Sequence, residues 1–159
     1  MAEMKKLRLD KIDRNILKKL QEDGRISNIK LSKEVGISPP PCLRRVRALE
    51  EGGYINGYNA RINHAAMGYG VTIFAQVKLK SQAEEDLLAF ENHINAIPMV
   101  RECYVIAGDS DFILKIVAKS WDAYQDFFMN DLSNAPNVCS IKSSLTMKMS
   151  KNKAGIPID

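Results

Sequence analysis

The sequence predicts an α+β chain of two units: a helix-turn-helix (winged-helix-like) unit over residues 1–62, and a ferredoxin-like βαββαβ unit over 71–150. Three observations predict it. Two short amphipathic patterns in the first third meet at a tight turn around Gly36. From Val71 the hydrophobic period changes from helical to alternating, then runs strand, helix, strand, strand, helix, strand. The charge is also uneven, with net +6 over residues 1–62 and −2 over the rest. A basic first third invites phosphate, although solvated helix faces would look the same.

The elements follow in order. In LDKIDRNILKKLQEDGR, Ile12, Ile16, Leu17 and Leu20 fall at helical spacing, Asp10 is a good N-cap, and Gly24 supplies a left-handed stop. Ser27 caps a short second helix, NIKLSKEV, which leaves through Gly36. Ser38 caps a third helix that starts at Pro39, Pro40 or Pro41. Prolines are tolerated there because the first N–H groups of a helix have no partner inside it. At 100° per residue, Cys42, Leu43, Val46 and Leu49 face the core, Arg44 and Arg47 lie opposite with Pro40, and Arg45 lies on the flank. Gly52 and Gly53 end this helix. Asn56-Gly57 reads either as a hairpin or as a bend in a strand leading to the linker, residues 63–70.

In the second unit, Val71, Ile73, Ala75, Val77 and Leu79 share one face of a strand. A helix follows over roughly Ala83 to Ala96, with Leu87, Phe90 and Ile94 inward. MVRECYVIAG and FILKIVAK form a hairpin around the tip Gly108-Asp109-Ser110-Asp111. Ser120 caps a second helix whose buried stripe is Trp121, Tyr124, Phe128 and Leu132. The last strand places Cys139, Ile141, Leu145, Met147 and Met149 on one side, and residues 151–159 form a tail. Phe74, Tyr104, Ile106 and Val117 lie on the sheet face away from the helices, and a second subunit is the economical cover for them.

Composition narrows the function. At 45% hydrophobic and 26% charged the chain is ordinary globular protein, with no apolar run near the ~20 residues that span a bilayer. No membrane partner is expected. The amino end, MAEMKKLRLDK, is charged where a secretory leader is apolar, which reads as a cytoplasmic location. Cys42, Cys103 and Cys139 suit buried thiols better than a disulfide frame or zinc site. His64 and His93 are the only histidines. Neither sits at ligand or catalytic spacing, and no phosphate loop is present. No enzyme activity, metal or cofactor is expected.

The motif chain LDKIDRNILKKLQEDGRISNIKLSKEVGISPPPCLRRVRALEEGGYINGY resembles the Lrp/AsnC, or feast/famine, family of transcription regulators, and the resemblance runs over nearly the whole chain. It implies a DNA-binding helix-turn-helix from about Asn28 to Arg47. It also implies a ligand-sensing ferredoxin-like unit that pairs subunits into dimers and often dimers into an octameric ring. A free amino acid would bind between subunits beside the hairpin tip. Candidate contacts to double-stranded DNA are Ser38, Pro40, Arg44, Arg45 and Arg47, with Arg25 and Asn28 near the start of the second helix. Candidate effector contacts are Gly108, Asp109, Asp111 and Tyr104. Asp111 is expected to meet the effector ammonium and to be dispensable for folding, although Gly, Asp and Ser are also what plain hairpin turns use. Three functional readings stand: an amino-acid-responsive regulator, an effector-independent nucleoid organiser, and an enzyme built on the ferredoxin-like unit.

Overall fold

The computed structural model describes residues 8–153 and 155–159. The first seven residues, part of the charged amino end and of the expected DNA-binding unit, lie outside the described residues, as does Ala154. Two compact units divide the chain: residues up to Arg61 together with Lys151–Asp159 form one, and Ile62–Ser150 the other.

In the first unit α1 spans Lys11–Glu22, α2 Asn28–Glu34 and α3 Pro39–Glu51. Their apolar stripes close on a core of Ile16, Leu31, Val35, Cys42 and Leu49. Asp10 and Asp13 form a capping box at the start of α1: the Asp13 N–H donates to the Asp10 carboxylate (2.9 Å), and the Asp10 N–H to that of Asp13 (3.1 Å). Gly24 is not the left-handed stop expected of it. Asp23 ends α1 in extended conformation, and Gly24, absent from the positive-φ glycines, sits against the Tyr58 ring. Between α2 and α3 the left-handed position is Gly36, at φ +74°. Leu43, expected in the core, is 41% exposed. It follows Cys42 by one residue, hence by about 100° around the helix, and so turns out of the interface.

Asn56-Gly57 does not form a paired hairpin; residues 55–62 run without strand pairing. The tail returns to this unit. The side-chain amide of Gln21 pairs with the backbone of Ile156, donating to its carbonyl (2.8 Å) and accepting from its N–H (3.0 Å). A groove lined by Leu17, Leu20, Tyr54 and Ile55 of this unit is lined also by Ile156, Pro157 and Ile158.

The second unit runs β1 (Val71–Leu79), α4 (Glu84–Asn95), β2 (Val100–Val105), β3 (Phe112–Ala118), α5 (Trp121–Phe127) and β4 (Val138–Leu145). Strand order is β2-β3-β1-β4, antiparallel throughout. This is the ferredoxin-like arrangement. Ile73, Ala75, Val77, Leu114 and Ile116 are buried with Phe90, Ile94 and Tyr124 from the helices. Trp121 is exposed rather than part of the buried stripe, and Phe127 is buried instead. Trp121 is the first residue of α5, and a π-helical turn, Phe128–Leu132, follows the helix directly. Its extra residue per turn lets Phe127 and Leu132, five apart, both reach the core.

β4 ends at Leu145, which pairs with Ile73 near the start of β1. With little of β1 left to pair, Met147 and Met149 are exposed beyond the strand, and Cys139 is exposed within it. The outer sheet face is less apolar than expected. Phe74 and Tyr104 are exposed there, but Val117 is buried, and Lys115 donates to Glu102 across the same face (2.6 Å). The linker is turned rather than extended, with the Tyr69 N–H on the His64 carbonyl (2.8 Å).

Arg45, expected at DNA, has partners inside the unit. Its Nη1 donates to Asp10 Oδ2 (2.8 Å) and to Asp13 Oδ1 (2.7 Å). The Asp13 side chain is only 7% exposed, so the guanidinium compensates a carboxylate removed from water. The Asp13 N–H first, and then Arg45, hold the Asp10 carboxyl below its usual range. Arg45→Ala should therefore lower stability by about 1–2 kcal/mol in urea unfolding, a charged hydrogen bond discounted for a half-exposed site. A depressed carboxylate contributes fully above its unfolded pKa and loses that contribution as pH falls through the folded value. The gap between variant and wild type should accordingly shrink below about pH 4.

Candidate functional site

The exposed side of α3 carries Pro40, Leu43, Arg44, Arg47, Ala48 and Glu51. They are spaced three and four apart and line one shallow depression of about 380 Å³. Arg44 and Arg47 are exposed and lie in no ion pair among the described residues. With Arg45 held by α1, the basic triplet divides into one structural and two available cations.

The head of α3 follows from its prolines. A capping side chain accepts from the N–H of the second or third helical residue, and here these are Pro40 and Pro41, which have none. Ser38 accordingly makes no side-chain cap bond and leaves an exposed hydroxyl at the helix start. The Cys42 N–H is bonded to the Ser38 carbonyl (3.2 Å). Asn28, expected to touch the DNA backbone, instead donates through Nδ2 to the Pro39 carbonyl (2.8 Å), while its Oδ1 is buried without a partner among the described residues. It ties α2 to the start of α3. Arg25 is exposed just before α2, its backbone N–H on Asp23 (2.9 Å).

In the second unit, Gly108 stands at φ +148°, and Asp109 is exposed. Asp111, expected to meet the effector, is engaged within the fold. It is 8% exposed, with Oδ2 accepting from the Leu79 N–H (2.7 Å) and Oδ1 from Gln82 (2.9 Å). Its own N–H donates to the Val77 carbonyl, and its carbonyl accepts from Ile106 (both 2.9 Å). A carboxylate so engaged fixes the tip to the end of β1. Gln82 was missed in the sequence, where nothing distinguishes it from any polar loop residue. Tyr104 is exposed, and its hydroxyl donates to Glu102 (2.8 Å), which raises its pKa. Lys115 first, and then Tyr104, lower that of Glu102.

Among the described residues no cluster of metal-ligating side chains is present, and no helix is long and apolar enough to cross a membrane.

Comparison with known proteins gives two family matches. Residues 9–56 match a winged helix-turn-helix DNA-binding model, and residues 72–156 the Lrp/AsnC ligand binding domain. A leucine-responsive regulatory protein of Rhizobium meliloti is 44% identical over 153 residues, covering 96% of this chain and 98% of its own. The Bkd operon transcriptional regulator of Pseudomonas aeruginosa is 40% identical, with 94% and 98% covered. Among solved structures, a transcriptional regulator from Neisseria meningitidis in complex with L-Met aligns at TM-score 0.92 and 31% identity, over 96% of this chain and 98% of that one.

Asp111→Ala should cost about 1–3 kcal/mol in chemical unfolding, because it leaves the Leu79 N–H buried and unpaired. Asp111→Asn keeps an acceptor and should cost less than half as much. Equal losses in the two variants would show that the carboxylate charge, not the acceptor, is what the tip requires.

Proposed function

Because this chain belongs to the Lrp/AsnC family of transcriptional regulators, we propose that it binds double-stranded DNA through α3 as a cytoplasmic homo-oligomer built on dimers. We further propose that a free amino acid acts through its ferredoxin-like unit. One observation carries the DNA reading: Arg44 and Arg47 are the α3 cations left uncommitted by the fold, on the side opposite buried Cys42 and Leu49. A helix placed in the major groove brings such side chains to base edges and phosphates. Pro40 lines that surface and Ser38 adjoins it as secondary contacts, Arg25 before α2 is a further candidate for the DNA backbone, and Asn28 supports the helix start.

The match to a ligand binding domain and the L-Met complex of the Neisseria regulator support an amino acid effector. In this chain the exposed Asp109 carboxylate and the backbone at Gly108 become the first candidates for the ammonium, beside Tyr104, while Asp111 holds the tip in place. The outer sheet face, with Phe74 and Tyr104 exposed, suits a subunit contact. A two-fold pairing would set half-sites about one helical turn apart, and an octameric ring is the larger assembly the family resemblance implies.

Arg44→Ala and Arg47→Ala should each weaken DNA binding by about 1–3 kcal/mol at a base contact, or lower the salt slope by about 1 at a phosphate contact, in anisotropy titrations across salt. Melting temperatures should stay unchanged, since neither side chain is used by the fold. Unaltered affinity and slope in both variants would remove α3 as the reading element. For the effector, a thermal-shift screen of the twenty amino acids should find a stabilising ligand, and Asp109→Asn should weaken its binding about ten-fold or more. Undiminished binding would take Asp109 out of the site.

A further inference from the structure

We propose that Leu43 is a specificity-determining residue that reads the C5-methyl group of thymine in the major groove. The inference rests on the DNA-binding reading of α3 and adds what that helix can and cannot recognise. Its first turn offers no free backbone donor: Pro39, Pro40 and Pro41 have no N–H, and the Cys42 N–H is used by the Ser38 carbonyl. The N–H groups of residues 39–42 therefore cannot hold a phosphate or a base acceptor, as those of a helix's first turn otherwise do.

What it presents instead is apolar. Pro40, Leu43 and Ala48 share the exposed depression with Arg44 and Arg47. Leu43 is 41% exposed, although Leu is a residue type that the adjoining core would readily bury. Of the groups on the major-groove edges, all but one are hydrogen-bond donors or acceptors, and the exception is the thymine methyl. Pressing Leu43 against the polar edge of another base would leave that edge dehydrated and unpaired, which is costly. Against thymine the same contact removes apolar surface from water on both sides. The two free arginines supply attraction and register, and Leu43 supplies discrimination at one base step.

The test uses the full chain and a duplex selected by it from a random-sequence pool. Each thymine of the selected duplex is replaced in turn by deoxyuridine, which deletes the methyl and leaves the hydrogen-bonding edge intact. At one or two positions affinity should fall about three- to five-fold, the worth of one buried methyl. Leu43→Ser should bind the thymine and uracil duplexes within two-fold of each other, and Leu43→Met should keep the preference. At the sensitive position a 5-methylcytosine should bind better than cytosine to wild type and no better to Leu43→Ser. No uracil penalty anywhere, or the same penalty in Leu43→Ser as in wild type, would overturn the proposal while leaving the DNA reading intact. A change of oligomeric state in Leu43→Ser by light scattering, with the penalty retained, would assign Leu43 to a contact between copies instead. Failure to recover any selected duplex would overturn both readings.

Discussion

The rotational setting of α3 is the constraint on which the amino-terminal unit depends. One helix of 13 residues must fill the core with Cys42 and Leu49 and still present Arg44 and Arg47 to the outside. A turn of about 180° about its axis would exchange those tasks. Packing of small and branched side chains resists such a slip only in part, and Arg45 adds a directional restraint by reaching two carboxylates on α1 at 2.8 and 2.7 Å. Those carboxylates lie where negative charge is already favoured, at the amino end of a helix. Asp10 and Asp13 thus cap α1, neutralise its dipole and orient its neighbour at once. Local helix initiation and the rotational setting of α3 are set by the same atoms.

Most of the architecture was legible in the sequence because its signals are periodic. Alternation in Val71–Leu79, the stripe of Phe90 and Ile94, and the cap residues Asp10, Ser27 and Ser120 each report a local geometry that the fold keeps. Two of the differences share a physical origin, since each depends on a partner distant in sequence. The side chain of Arg45 looks like that of Arg44 until Asp10 and Asp13 are placed beside it, 35 and 32 residues away. Asp111 looks like a turn residue until Leu79 and Gln82 reach its carboxylate. The π-helical turn after Phe127 breaks the four-residue period that would have set Phe128 and Leu132 on one stripe. Leu43 is the one miss that local geometry could have prevented, since its wheel position already lies at the edge of the apolar side.

The hairpin tip joins a buried anchor to exposed outer residues. Asp111 binds through backbone and carboxylate to Val77, Leu79, Gln82 and Ile106, so its foot belongs to the sheet. Gly108 and Asp109, only two or three residues away, are exposed. A ligand held by the outer residues would load the inner anchor, and through it the end of the central strand β1. Displacement there would be felt along the rows that pair β1 with β3 and β4.

The return of Ile156 to Gln21 carries a consequence for biosynthesis. The amino-terminal unit is discontinuous, and its last strand of packing lies beyond roughly ninety residues of intervening chain. At ribosomal rates of about 5–20 residues per second, that interval is several seconds or more. During it the groove beside Leu17, Leu20 and Ile55 stands open on the nascent protein. The three helices can collapse on Ile16 and Leu49 as soon as they emerge, yet the unit acquires its final cover only when translation has passed the sensing domain. Completion of the nucleic-acid-binding half is thereby timed after the half that would govern it.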